Sequence, residues 1–269
     1  MITNKLKSRT VITTALLAWA LTSFTALAAA QSASESSVGA PEVSDTMPAD
    51  KYEAAANKHV NDALTVLRKM ELAARMKPVL QQAKGVLLVP TYGRAAFVVG
   101  GKGGAGVLLV KREDGTWSDP VFYNISGLNI GVQAGVEGGA IAMVLNNDKA
   151  VNRFMQRNNF SLSADSGITV VNWAKVAEGS TGPGDVVAWS GTKGLFGDVV
   201  TVGLNDIRLN QNLTNAYYNR MLSAKDVITG KVKNPQADAL RQELASISAG
   251  AGTSSQGESG TSGAAGSSK

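Results

Sequence analysis

The chain has 269 residues, 44% of them hydrophobic, with 26 basic against 21 acidic side chains, one histidine and no cysteine. That composition is globular rather than disordered, and the lack of cysteine excludes disulfide staples, thiolate metal sites and thiol nucleophiles. The formal charge of +5 is too mild to argue for a nucleic-acid partner.

Lys5, Lys7 and Arg9 precede an apolar run over residues 11–27, followed by Ala-x-Ala patterns at Ala26-Leu27-Ala28 and Ala28-Ala29-Ala30. Basic, apolar and small-residue regions in that order predict an export signal over residues 1–30. An uncleaved anchor is the competing reading, although the run is short for a membrane span and broken by Thr and Ser. Removing the leader takes three basic residues and no acid, which leaves 23 basic and 21 acidic side chains, or +2. Residues 31–50 are rich in Ser, Ala, Pro and acid and read as a flexible linker. The Gly/Ser/Ala/Thr end over 249–269 cannot bury a core. One domain is expected between them, over residues 51–248.

The domain opens with a helix, for which Asp50 and Glu53 suggest a capping box. Val60, Leu64, Leu67 and Ala74, with Ala63 and Met70 beside them, form an apolar stripe; Arg68, Lys69, Arg75 and Lys77 mostly occupy the rest. Two readings of this helix stand: it packs its stripe on the domain, or it lies on an anionic bilayer. His59, on the same helix, reads as a surface or packing residue.

Beyond Pro78 come short β-branched and aromatic runs: GVLLVP, RAAFVVGG, AGVLLVKRE and PVFYNIS. Asp114-Gly115 marks a hairpin. In GLNIGVQAGVEGG (127–139) apolar residues alternate strictly with Gly or polar ones, which predicts a half-buried strand of about 12 residues. Its glycines would let it coil, with Asn129, Gln133 and Glu137 facing an interior or solvent. DKAVNRFMQR (148–157) reads as a helix with Val151, Phe154 and Met155 inward. Strands are expected again at ITVVNWAKVA, DVVAWSG and DVVTVGLNDIRL, then short helices at LTNAYYNRML, AKDVIT and PQADALRQELASI. The predicted class is α+β: a curved, mainly antiparallel sheet or barrel-like core, an N-terminal helix and short C-terminal helices.

Chemistry is sparse. No HExxH or calcium-loop pattern occurs, no acid–base pair stands out by spacing, and no metal or cofactor is expected. The reading is that the chain is not an enzyme. Residues 101–106 satisfy G-x-G-x-x-G, but strand-like VLLVKRE follows instead of the helix that a dinucleotide site requires. A hairpin loop is the better assignment, and two readings of it stand: a purely structural turn, the commoner case, or a loop whose Lys102 and turn amides face an anion. In WSGTKGLFGD (189–198), Lys193 beside Leu195 and Phe196 suits a lipid interface; the equal alternative turns both apolar side chains inward to plug the sheet.

AKGVLLVP, GGKGGAGVLLVKREDGTWSDPVFYNISGLNIGVQAGVE and WSGTKGLFGDVVTVGLNDIRLNQNLTNAYYNR together resemble, in order, the blocks of the SYLF domain family, over residues 64–232. The sequence departs from the family in the stretch 164–184 and in Trp189, where a tyrosine is usual. The resemblance implies lipid binding. Family members bind phosphoinositide membranes and some bind actin, and in animal members a basic N-terminal segment contributes to membrane contact. The corresponding place here is the helix bearing Arg68, Lys69, Arg75 and Lys77. An exported bacterial chain would not meet actin or phosphoinositides in its own compartment, so the expected partner is another anionic phospholipid surface of a periplasmic or secreted setting. An envelope protein is the alternative partner. The expected lipid-contact residues are Lys102, Lys193, Leu195, Phe196, Arg68, Lys69, Arg75 and Lys77.

Overall fold

The computed structural model describes residues 48–93, 103–129, 138–156 and 158–250. Helix α1 (Ala49–Glu71) starts after Pro48, whose carbonyl oxygen accepts the Lys51 and Tyr52 N–H groups. The expected capping box does not form. Asp50 sits within the first turn, where its charge complements the positive end of the helix. Ala56, Val60, Ala63, Val66, Leu67 and Met70 form the buried stripe, so the helix packs its apolar face on the domain. Leu64 is only half-buried, and Ala74 lies exposed beyond the helix end. The chain then reverses at Arg75, in the left-handed region at φ 62°, and enters α2 (Met76–Gln82).

Eight strands follow: β1 (Gly85–Gly93), β2 (Gly103–Val110), β3 (Val121–Asn129), β4 (Gly138–Leu145), β5 (Asn159–Leu162), β6 (Val170–Asn172), β7 (Val186–Ser190) and β8 (Gly203–Leu209). They form one sheet in the order β5-β8-β3-β2-β1-β4-β7-β6, antiparallel throughout except for β6 beside β7. The two ends of that order approach each other. The Asn172 N–H donates to Val200 O (2.9 Å) and the Val202 N–H to Val170 O (3.0 Å), so β6 is bonded to the segment that leads into β8. The sheet thereby nearly closes into a barrel, and the α+β expectation holds.

Near-continuous apolar runs are what a strand buried on both faces requires, and β1 illustrates it. Leu87 and Val89 point into the barrel, while Val86 and Leu88 meet the helices outside. Inside, Tyr123, Phe154 and Phe160 pack edge to face with ring centres 4.8 to 6.3 Å apart. Phe154 comes from α3 (Asp148–Gln156), which buries it with Val151 as expected and with Ala150, while Met155 is only partly buried. Outside, α1 packs with α5 (Gln211–Tyr218) and α7 (Asp238–Ser248). The short α6 (Ala224–Ile228) lies beside α3.

Three local expectations are corrected. Residues 127–139 are not one strand: Leu128 and Asn129 pair with Leu204 and Gly203 of β8, whereas Gly138 and Gly139 pair with Gly93 and Tyr92 of β1. The two halves belong to β3 and β4, which β2 and β1 separate in the sheet, so the alternation crosses from one strand to another; Gln133 and Glu137 lie outside the described residues. ITVVNWAKVA is strand only to Asn172, whose side chain accepts the Ala174 N–H (3.1 Å) and caps α4 (Trp173–Glu178). DVVTVGLNDIRL becomes a ladder strand only at Gly203. RAAFVVGG lies outside the described residues. At Asp114-Gly115 the tight turn forms as expected, with Gly115 at φ 80° and Lys111 bridged to Trp117.

Asp185 ties the β4–α3 turn to β7. It accepts the Thr169 N–H (2.8 Å) and the Asn147 side-chain amide (2.8 Å), and pairs with Lys149 (3.2 Å). Desolvation pushes its pKa up, but these bonds and the Lys149 charge outweigh it and hold the carboxyl below its ordinary value. A group lowered on folding adds stability above its unfolded pKa and loses it as pH falls through the folded one. Asp185→Asn is therefore expected to destabilise the protein at neutral pH and to converge with the parent below the ordinary carboxylate range. Urea unfolding between pH 7 and pH 2 measures this; a gap constant with pH contradicts the assignment.

Candidate functional site

The sheet has two ends. At one, β1, β3 and β7 finish and β2, β4 and β8 begin. Lys193 lies here in the loop after β7. Thr192 fixes that loop by donating from Oγ1 to Gly138 O (3.2 Å). Gly138 in turn pairs with Gly93. Lys102 falls outside the described residues; Gly93 and Gly103 pair with each other at this end. Lys193 is exposed, with no ion pair or side-chain hydrogen bond among the described residues.

Leu195 and Phe196 do not accompany it outward. Two successive turns, Leu195 N–H to Thr192 O and Gly197 N–H to Gly194 O, fold the loop back. They leave Leu195 4% and Phe196 5% exposed, within the barrel core. The expectation that both are apolar surface contacts is overturned, and the inward-plugging alternative describes them. A barrel end that must be stoppered takes the greasiest side chains of the nearest loop.

The second predicted cluster surrounds the α1–α2 turn. Arg68 pairs with Glu243 of α7 (3.3 Å) and Lys77 with Glu71 (3.6 Å). The Arg75 guanidinium donates to Ala177 O, which satisfies a donor without cancelling the charge. Lys69 is exposed and makes no side-chain bond among the described residues. Between Lys69 and Arg75 in the chain, at the C-cap of α1, stands a residue not among the expected contacts: Leu72, 86% exposed. Its signal was present, since it falls two residues after Met70, off the 60-63-67-70 stripe, and so had no place in the core.

Glu243 reaches Arg68 because α7 is fastened at both ends by the loop before β3. Trp117 Nε1 donates to Ser248 Oγ (3.1 Å), and the buried Asp119 accepts from Arg241 (3.2 Å) and from the Asn234 N–H (2.8 Å). Burial pushes the Asp119 pKa up, against the pull of the Asn234 amide and of Arg241. His59 is half-buried on α1 and its pKa is lowered first by desolvation, which keeps it neutral at pH 7. Among the described residues no group of three or more His, Asp or Glu is placed to hold a metal ion, and no helix is long and apolar enough to cross a membrane.

Residues 126–247 match the family model described as Ysc84, Las17-binding protein actin regulator. The chain is 30% identical over 164 residues to Protein YSC84 of Saccharomyces cerevisiae, which covers 59% of this chain and 35% of that protein. It is 28% identical over 198 residues to SH3 domain-containing YSC84-like protein 1 of Homo sapiens, covering 69% of this chain and 57% of that one. LAS seventeen-binding protein 3 of yeast is 29% identical over 164 residues, or 35% of its length. The chain thus spans about a third of the yeast relatives and just over half of the mammalian one. Residues 126–247 of this chain thus match the Ysc84, or SYLF domain, family, and its named relatives extend that similarity to 59–69% of the chain.

Proposed function

We propose that this chain is a non-enzymatic binding module that docks reversibly on anionic phospholipid surfaces of a bacterial envelope, after export directed by residues 1–30. The observation that carries the proposal is Leu72, 86% exposed and set among Arg68, Lys69, Arg75 and Lys77. A large apolar side chain held in water, with basic residues close to it in the chain, suits an interface where the leucine enters the acyl boundary and the cations stay with the phosphates. Each basic residue near such a surface contributes about 1 kcal/mol. Lys69 and Arg75, whose charges no carboxylate among the described residues cancels, would supply most of it; Lys193 belongs to the far loop and adds long-range attraction.

Docking on an envelope protein is the second reading. It is favoured by Arg68–Glu243 and Lys77–Glu71, which leave the patch closer to neutral than its sequence suggests, and by family names that denote protein binding. Co-sedimentation with vesicles separates the two. Recovery on phosphatidylglycerol vesicles that exceeds recovery on phosphatidylcholine and falls with salt is the expected result. Equal recovery on both, unaffected by salt, contradicts the electrostatic part, and no recovery on either transfers the site to a protein.

A further inference from the structure

At the opposite end of the barrel from Lys193, a cleft of about 740 Å³ opens between the Lys111–Asp114 turn, α3 and α6. This is within the usual volume of a small-molecule site, and barrel mouths are common places for one. Its floor is apolar. Val110, Val151 and Ile228 are side chains of the barrel core, and the partly buried Met155 packs against the same cluster. An occupant's apolar body would therefore rest directly on the interior packing.

The rim carries charges of both signs. Lys111 and Lys225 face the cleft together with Glu113 and Asp148. Among the described residues none of these four makes an ion pair or a side-chain hydrogen bond, so no cation of the four lies within 4.0 Å of either carboxylate. The other two charges are engaged only in part, since the buried Arg112 Nη2 has no hydrogen-bond partner among the described residues. Arg112 donates to Ile228 O (2.8 Å) and toward Thr116 and Trp117, and Asp114 accepts from the Thr116 amide and hydroxyl. Opposite charges held apart around one apolar floor are complementary to a molecule that itself carries both, at a few ångströms' separation, on a greasy body. A purely anionic or purely cationic ligand would meet a repelling pair on the same rim.

We infer that this cleft is a binding site for a small zwitterionic amphiphile, with an ammonium and a phosphate or carboxylate on its head and an apolar tail. The inference goes beyond membrane docking through Leu72 and does not depend on it. The same head chemistry occurs on phosphoethanolamine lipids and on short apolar peptides, and calorimetric titration of the chain distinguishes them. The probes are monomeric dihexanoyl-phosphatidylethanolamine, dihexanoyl-phosphatidylglycerol, O-phosphoethanolamine and the dipeptide leucyl-leucine.

The phosphatidylethanolamine or the dipeptide is expected to bind at least tenfold more tightly than the phosphatidylglycerol and than the tail-less O-phosphoethanolamine. Whichever of the two binds more tightly identifies the source. Lys225→Glu, at an exposed helix position, should weaken the preferred zwitterion at least tenfold. Met155→Trp should block the floor, with thermal unfolding as the check on folding. Leu72→Asp should leave this binding unchanged while reducing vesicle recovery. Phosphatidylglycerol binding as tightly as the zwitterions, no binding by any probe, or full affinity in a folded Lys225→Glu variant overturns the inference.

Discussion

Leu72→Asp is expected to lower recovery on anionic vesicles at least tenfold while leaving thermal unfolding unchanged. Burying one leucine side chain is worth about 1.5–3 kcal/mol, which at full insertion corresponds to roughly one to two orders of magnitude in partitioning. The aspartate also places a negative charge among lipid phosphates. Because Leu72 is 86% exposed and lies just past the last turn of α1, its replacement removes nothing from the core; surface changes of this kind stay within about 0.5 kcal/mol. Lys69→Glu at the neighbouring position should weaken binding by a similar order, through the loss of one attraction and the gain of one repulsion, each about 1 kcal/mol. Unaltered recovery for both variants would remove the α1–α2 turn from the contact.

Gly104→Ala is expected to be strongly destabilising. A methyl group there would lie 2.2 Å from the Thr91 carbonyl oxygen and 2.9 Å from Val89 Cγ1. The oxygen belongs to the backbone of β1 and cannot rotate away. The β1–β2 register already shifts between Leu88 and Gly93, so the ladder has a bulge at the point of closest approach. Overpacking typically costs about 1–3 kcal/mol, and a backbone clash belongs at or above the top of that range. Gly115→Ala provides the contrast: its φ is 80° but nothing lies within 4 Å, leaving only the left-handed penalty of about 1–2 kcal/mol. Urea titrations of the two variants compare the costs directly. Similar midpoints would mean that the strands do not approach as described.

Most of the architecture could be read from the residues. VLLV-type runs gave strands covered on both sides, the 3.6-residue period gave α1 and α3, and the polar, helix-favouring end gave α5 to α7. What could not be read was decided by non-local partners. Strict alternation over 127–139 describes side-chain direction and says nothing about which neighbour each half pairs with; the sheet order separates the halves by two strands. The Asn172 cap ends β6 after three residues although Trp173 and Val176 have strand propensity. The four-residue β5 is too short to leave a pattern of its own. In the candidate site, cation positions were legible but their pairing was not, because Glu243 reaches Arg68 from 175 residues away. Leu195 and Phe196 looked equally suited to a surface and to a stopper, and only the turn geometry of residues 192–197 distinguishes these roles.

The seam between β6 and the segment before β8 also bears on how the protein behaves in a crowded compartment. Unpaired strand flanks are templates on which a second molecule can build a ladder, the first step toward fibrous deposits. Here the terminal strands have only four and three residues, and β6 already spends its outer flank on Val200 and Val202. A chain without cysteine has no covalent latch against such growth. Folding the β6 edge onto the segment before β8 provides a non-covalent one at that edge.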